Sequence, residues 1–126
     1  MSTKKKLYLV DDDAFFLQLL QLQLSNSLDV EIESFTTGEA VLEAIGGNPD
    51  LIVLDYYLDK ENPDAINGME TWERIKANNE SQKVIILSGQ DNFKVVDKLF
   101  DHGITDYVIK DEFAFNTLIE KVKKML

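Results

Sequence analysis

The chain has no cysteine and a single histidine, and each scarcity removes a class of site. Without cysteine it forms no disulfide and no thiolate metal site, and His102 alone cannot build a zinc site. No apolar run approaches the roughly 20 residues of a transmembrane helix. The lysine-rich start runs into an apolar segment too short for the hydrophobic region of a signal peptide. We therefore expect a cytoplasmic protein with no membrane partner.

Positive charge is also in short supply. The sequence has 13 Lys and Arg residues against 23 Asp and Glu residues, which gives a formal net charge of −10. The phosphate backbone of a nucleic acid would repel such a surface, so we expect no nucleic-acid partner for this domain. The 126 residues, 44% of them hydrophobic, are enough for one core. This predicts a single domain over residues 1–126.

Short apolar runs alternate with segments of helical periodicity along the whole chain. We predict strands at 7–10, 30–35, 51–54, 84–87 and 104–109, and helices at 14–24, 37–47, 69–77, 93–102 and 112–125. In the first helix, Phe15, Leu19 and Leu22 share one face, which is the apolar face expected of an amphipathic helix. Alternating strands and helices, joined by right-handed crossovers, predict a doubly wound α/β fold. The favoured form is flavodoxin-like, with five helices and a five-stranded parallel sheet in the order 2-1-3-4-5.

Polar side chains follow the predicted strands where each one ends. Asp11 and Asp12 follow the first strand, and Asp55 follows the third. In the favoured order these two strands are neighbours, so the three carboxylates gather at one edge of the sheet. At about 4 Å and an effective dielectric near 20, each pair repels by roughly 4 kcal/mol. A hard divalent cation such as Mg²⁺ or Ca²⁺ would relieve the repulsion. The alternative for Asp11 and Asp12 is helix capping, which we expect for Asp13.

The later strands end in a hydroxyl and an ammonium group. The motifs are Val10-Asp11-Asp12, Leu54-Asp55, Ser88-Gly89 and Tyr107-Val108-Ile109-Lys110. With these motifs in this order, nearly the whole chain resembles the receiver domain of a bacterial two-component response regulator. The resemblance implies a phosphoacceptor that receives a phosphoryl group on Asp55 from the phosphohistidine of a sensor histidine kinase or phosphotransfer protein. It also implies an output protein or domain of unknown identity, and a homodimer is possible.

The same resemblance implies a role for each site residue. Mg²⁺ would be held by Asp12, by Asp11 through water, by Asp55 and by the backbone carbonyl of Tyr57. Ser88 and Lys110 would hold phosphoryl oxygens. Tyr107 would turn inward as a switch that changes the surface of helix 4, strand 5 and helix 5. Tyr107 can equally be a half-buried core aromatic, and both interpretations stay open.

Four features depart from the family pattern. Asp59 stands where proline is common, and the loop at 59–67 is roughly five residues longer than usual, judged by spacing. Asp111 replaces a frequent proline after Lys110, so we expect a trans peptide bond there, since a cis bond to a non-proline residue costs about 2.5–4 kcal/mol. Tyr57 and Gln90 flank the site, which leaves the lifetime of an acyl phosphate open.

Two other functions compete with the phosphoacceptor. One is a degenerate receiver, a protein-interaction module that is never phosphorylated, which the long loop and Asp111 favour. The other is an aspartyl-phosphate hydrolase, but Tyr56 and Tyr57 stand where such an enzyme needs its acid. A flavin-binding protein of this fold would need a Ser/Thr-rich phosphate-binding loop after the first strand. This chain has acidic residues there, which would repel the phosphate. We expect no enzyme beyond self-phosphorylation and self-dephosphorylation, either as a stand-alone receiver or as a fragment of a longer regulator.

Overall fold

The computed structural model describes residues 4–58, 63–89 and 93–126, and only the backbone of residues 93–96. Asp59, Gln90 and part of the long loop therefore lie outside the described residues. The strands are β1 (Lys5–Val10), β2 (Val30–Phe35), β3 (Leu51–Asp55), β4 (Val84–Ser88) and β5 (Tyr107–Ile109). The helices are α1 (Ala14–Ser27), α2 (Gly38–Glu43), α3 (Gly68–Asn78), α4 (Phe93–Asp101) and α5 (Ala114–Met125), with a 3-10 turn at Ile45–Gly47.

The described strands form one parallel sheet in the order β2-β1-β3-β4-β5. This confirms the predicted flavodoxin-like order 2-1-3-4-5. In the ladder between the two central strands, Val10 lies beside Leu54. An aspartate directly follows each of these two residues in the chain, so the register brings Asp11 and Asp55 to the same point of the sheet edge.

Alternate residues of the strands build a core on each face of the sheet. On one face, residues such as Leu9 and Val53 pack with α1 and α5. On the other, residues such as Val10 and Leu54 pack with α2, α3 and α4. Every residue of β3 and β4 is buried. The continuous apolar runs thus mark strands covered by helices on both sides, as parallel sheets require.

No helix among the described residues is long and apolar enough to cross a membrane.

The last strand is shorter than predicted. We predicted a strand from Ile104 to Ile109, but β5 begins only at Tyr107. Ile104 is buried in the core without belonging to the strand. Its hydrophobicity therefore reflects packing rather than ladder hydrogen bonds, and an apolar pattern does not separate the two. The peptide bond between Lys110 and Asp111 is trans, since no described peptide bond is cis, which confirms that prediction.

The orientation predicted for the first helix is wrong. Phe15, Leu19 and Leu22 do share a face, but they are 69%, 37% and 55% exposed. The core-facing residues of α1 are Leu17, Leu20 and Leu24. The helix has no charged residue and carries apolar side chains around most of its circumference, so its periodicity fits two different faces. Only packing against the sheet selects between them.

The two leucines Leu20 and Leu22 provide a direct test of this orientation. Leu20 is 1% exposed, so Leu20→Ala should leave a cavity and lower the free energy of unfolding by about 2–5 kcal/mol. Leu22→Ala, the same change on the exposed face, should alter it by no more than about 0.5 kcal/mol. Urea unfolding of both variants measures this difference, and equal losses would contradict the assignment of the buried face.

Candidate functional site

Three carboxylates meet where β1 and β3 end. Asp11, Asp12 and Asp55 each offer a carboxylate oxygen, and these oxygens lie within 4.8 Å of one another. Asp11 is 1% and Asp55 is 4% exposed, while Asp12 is half-buried. The predicted cluster is therefore present. Asp13 does not belong to it, because its side chain caps α1 by accepting hydrogen bonds from the backbone N–H groups of Phe15 and Phe16, as predicted.

Lys110 reaches this cluster from the end of β5. Its Nζ lies 2.6 Å from Oδ2 of Asp11, and the lysine side chain is only 20% exposed. The other oxygen of Asp11 accepts a hydrogen bond of 2.9 Å from the backbone N–H of Asp13. Sequence reasoning placed Lys110 in the site but did not predict its pairing with Asp11. Both are strand-end residues, and only the three-dimensional packing shows which carboxylate the lysine meets.

Burial changes the acidity of the two enclosed carboxyls. Burial raises the pKa of Asp55 to about 7, and the charge of Asp11 adds to this rise. The positive charge of Lys110 and the backbone N–H of Tyr57 act in the opposite direction. Burial also raises the pKa of Asp11, against the lowering effect of the hydrogen bond from Lys110. The site thus holds more negative charge than its buried position tolerates well.

This excess of buried negative charge fits a hard cation. The ligand atoms at hand are carboxylate oxygens, which Mg²⁺ and Ca²⁺ prefer. Asp11, Asp12 and Asp55 could therefore hold a metal ion. Tyr57, whose backbone carbonyl the sequence analysis assigned as a further ligand, contacts the site through its N–H to Asp55. The role of its carbonyl stays a prediction.

Ser88 ends β4 beside these groups in the sheet. It is fully buried, and within the described residues its Oγ has no hydrogen-bond partner. Its backbone carbonyl accepts a hydrogen bond of 2.7 Å from the N–H of Lys110, which joins the ends of β4 and β5. An unpaired buried hydroxyl costs about 1–3 kcal/mol. Such a donor is suited to the oxygen of a ligand. The role of Ser88 in holding a phosphoryl oxygen stays a prediction.

Gly68, which sequence reasoning overlooked, packs closely against the backbone of Asp55 and Tyr56. A Cβ at Gly68 would collide with the backbone carbonyl oxygens of Asp55 and Tyr56. The N–H of Gly68 donates a 3.0 Å hydrogen bond to the carbonyl of Tyr56. Asn67 caps the helix α3, since its side chain accepts a hydrogen bond from the backbone N–H of Glu70. The Asn67-Gly68 pair at the start of α3 was the available signal, because a glycine next to a cap permits close backbone approach.

Tyr107, on β5, contacts the helix α4. Its ring is half-buried and meets Phe100 edge-on, with centroids 5.6 Å apart and planes at 90°. Phe100 is 51% exposed. The contact fits a core aromatic and a switch equally well. His102, directly after α4, is exposed.

The fold and the strand-end cluster define a class of protein, the flavodoxin-like α/β domains of the CheY-like type. Within this class the chain belongs to the response regulator receiver domain family, since the model of that family matches residues 7–123. The family predicted from the strand-end motifs is therefore confirmed.

Two curated relatives illustrate the match. The chain is 28% identical to the nitrate/nitrite response regulator protein homolog of Haemophilus influenzae, over 99% of the chain and 58% of that protein. It is also 28% identical to the Regulator of RpoS of Escherichia coli, over 94% of the chain and 34% of that protein. The chain thus spans between about a third and three fifths of the length of these relatives.

Solved structures of receiver domains are similar along nearly the whole chain. The BeF3-activated receiver domain of DrrB is 30% identical, with a TM-score of 0.81 and coverage of 98% of this chain and 97% of that one. A CheY-like response regulator receiver domain protein from Methanospirillum hungatei is 25% identical, with a TM-score of 0.78 and coverage of 97% and 93%.

The raised pKa of Asp55 predicts how stability depends on pH. An unfolded Asp loses its proton near pH 4, whereas folded Asp55 does so near pH 7. Between these values the folded chain binds more protons, so the free energy of unfolding should fall as the pH rises. Without metal, we expect Asp55 to contribute a fall on the order of 2–4 kcal/mol between pH 5 and pH 8.

Urea unfolding in the presence of a chelator measures this fall. Asp55→Asn cannot titrate, so its stability should vary less with pH than that of the parent. Asp101→Asn, which changes an exposed carboxyl at the end of α4, is the matched control and should behave like the parent. Identical slopes for the parent and Asp55→Asn would show that Asp55 ionises normally.

Proposed function

We propose that this chain is a phosphoacceptor that takes a phosphoryl group onto Asp55 from the phosphohistidine of a sensor histidine kinase or phosphotransfer protein. One observation carries the proposal. A buried carboxylate at the end of β3 shares an all-oxygen cluster with Asp11 and Asp12, and the ammonium of Lys110 is 2.6 Å from Asp11. Membership of the receiver family supports the same function.

In the proposed reaction the protein forms one covalent bond and otherwise positions and neutralises the phosphoryl group. An oxygen of Asp55 attacks phosphorus, a P–O bond forms, and the P–N bond to the donor imidazole breaks. Asp12, Asp55, the Tyr57 carbonyl and, through water, Asp11 would hold Mg²⁺, which when bound supplies positive charge for the phosphoryl oxygens. Lys110 neutralises a second oxygen, and the hydroxyl of Ser88 donates to a third. We propose no enzymatic activity beyond self-phosphorylation and self-dephosphorylation.

Asp55 is expected to be the sole site of phosphorylation. Acetyl phosphate with Mg²⁺ should add one phosphoryl group to the parent chain, which intact mass spectrometry detects. The adduct should be lost in base, because it is an acyl phosphate. Asp55→Asn should remain unlabelled, and labelling equal to the parent would refute the assignment. A parent chain that takes no label would instead indicate a phosphorylation-independent interaction module.

Two neighbouring aspartates supply the metal control for this experiment. Asp12→Asn should abolish both labelling and the thermal stabilisation by Mg²⁺, which at 100 times Kd amounts to about 2.7 kcal/mol. Asp13→Asn removes an equal charge one residue away, from a side chain that caps α1, and should keep most of both effects. Equal behaviour of the two variants would argue against a specific metal site.

The proposed output is a change in the surface formed by α4, β5 and α5. Tyr107 is the candidate link, because its ring meets Phe100, a half-exposed residue of this surface. Inward rotation of Tyr107 would remove that contact and bury apolar area worth on the order of 1–2 kcal/mol. This is less than the roughly 5.5 kcal/mol needed to shift a population from 1:99 to 99:1. Binding to a partner, such as a second copy of the chain, would supply the remaining free energy.

Beryllofluoride, which stands in for the phosphoryl group on Asp55, tests this output. The 30%-identical DrrB receiver domain has been obtained in its BeF3-activated form. Addition with Mg²⁺ should shift amide resonances from about Phe93 to Tyr107, and Tyr107→Ala should weaken the shifts at Phe100. Shifts confined to residues 56–68 would place the output in the long loop and would remove Tyr107 as the switch.

A further inference from the structure

The ammonium group of Lys110 has two neighbours of different chemistry. One is the carboxylate of Asp11, 2.6 Å away. The other is the ring of Phe16, whose centroid lies 4.1 Å from the same nitrogen. The face of an aromatic ring attracts a cation, and more strongly where water is largely excluded. With only 20% of its side chain exposed, Lys110 meets that condition.

Phe16 is itself held in place. Its ring stacks on Phe115 of α5, with centroids 5.4 Å apart and planes at 23°. Its backbone N–H donates a 3.1 Å hydrogen bond to Asp13, whose own N–H donates to Asp11. The backbone of Phe16 is thus linked to Asp11 through two hydrogen bonds at the start of α1. The backbone link fixes Phe16 next to the acidic cluster, and the stacking on Phe115 orients its ring.

We propose that Phe16 is a positioning residue for Lys110. Its ring keeps the ammonium group at the site when Asp11 interacts with a metal ion. This inference rests on the proposed function, in which Asp11 helps to hold Mg²⁺. The ion pair then weakens, because Asp11 shares its charge with the metal. The ring has no affinity for Mg²⁺ comparable to that of a carboxylate and stays with the lysine. Lys110 thus remains poised to meet a phosphoryl oxygen.

Nuclear magnetic resonance of the parent chain, with Phe16→Leu as the control, tests the contact between the ring and Lys110. The ring current of Phe16 should shift the Cε protons of Lys110 upfield, and the shift should persist when Mg²⁺ saturates the site. Phe16→Leu, which keeps an apolar side chain without a ring, should lose it. If Mg²⁺ returns these protons in the parent to ordinary lysine values, the ammonium leaves the ring and the proposal is wrong.

The rate of labelling by acetyl phosphate separates positioning from packing. Phe16→Leu should label Asp55 about threefold to tenfold more slowly, the range expected from a lost cation–π contact. Phe16→Tyr keeps the ring face and should stay within about twofold of the parent. Phe15→Leu makes the same change at a 69% exposed neighbour and should label like the parent.

The outcomes also separate this inference from the proposed function. A lower melting temperature of Phe16→Leu with an unchanged labelling rate would reduce Phe16 to a packing residue and overturn the proposal. A parent chain that is never labelled would refute the phosphoacceptor function, yet the Lys110 proton shifts with and without Mg²⁺ would still decide whether the ring holds the lysine.

Discussion

The repulsion among Asp11, Asp12 and Asp55 is the constraint on which the rest of the site depends. The parallel register between β1 and β3 forces two of these carboxylates into a buried corner of the sheet edge. A fold selected for stability alone would avoid this arrangement, since buried charge without full compensation is costly. Here a lysine from the far end of the sequence compensates one of the carboxylates. The repulsion that remains between the carboxylates can be relieved by a bound cation.

Much of this arrangement could be predicted from the sequence, for a simple physical reason. Continuous apolar runs such as Leu51-Ile52-Val53-Leu54 are typical of strands covered on both faces, and the carboxyl ends of parallel strands meet at one edge. Hence the order of the sheet and the meeting of Asp11 with Asp55 followed from local pattern and topology. Asp13 as a helix cap followed from equally local chemistry.

The features that escaped prediction all depend on contacts between distant parts of the chain. The buried face of α1 was misassigned because Leu20 and Leu22 are chemically equivalent, and only the sheet distinguishes them. The start of β5 was misplaced because Ile104 is buried without pairing. The pairing of Lys110 with Asp11 and the close packing of Gly68 on the backbone of Tyr56 do not produce a periodic pattern in the sequence. Side-chain pairing and steric exclusion are properties of the packed structure.

The hydrogen bond between Gly68 and Tyr56 has a consequence for how this site can tolerate change. It brings together the two ends of the segment that we expect, from its spacing in the sequence, to be longer than usual. For a segment closed in this way, lengthening by roughly five residues costs only about half a kcal/mol of closure entropy. This entropic cost concerns the segment alone, and the position of Asp55 beside the closing hydrogen bond is unchanged. Length variation between these two residues is therefore nearly neutral for Asp55, which frees that part of the chain to diversify independently of the site.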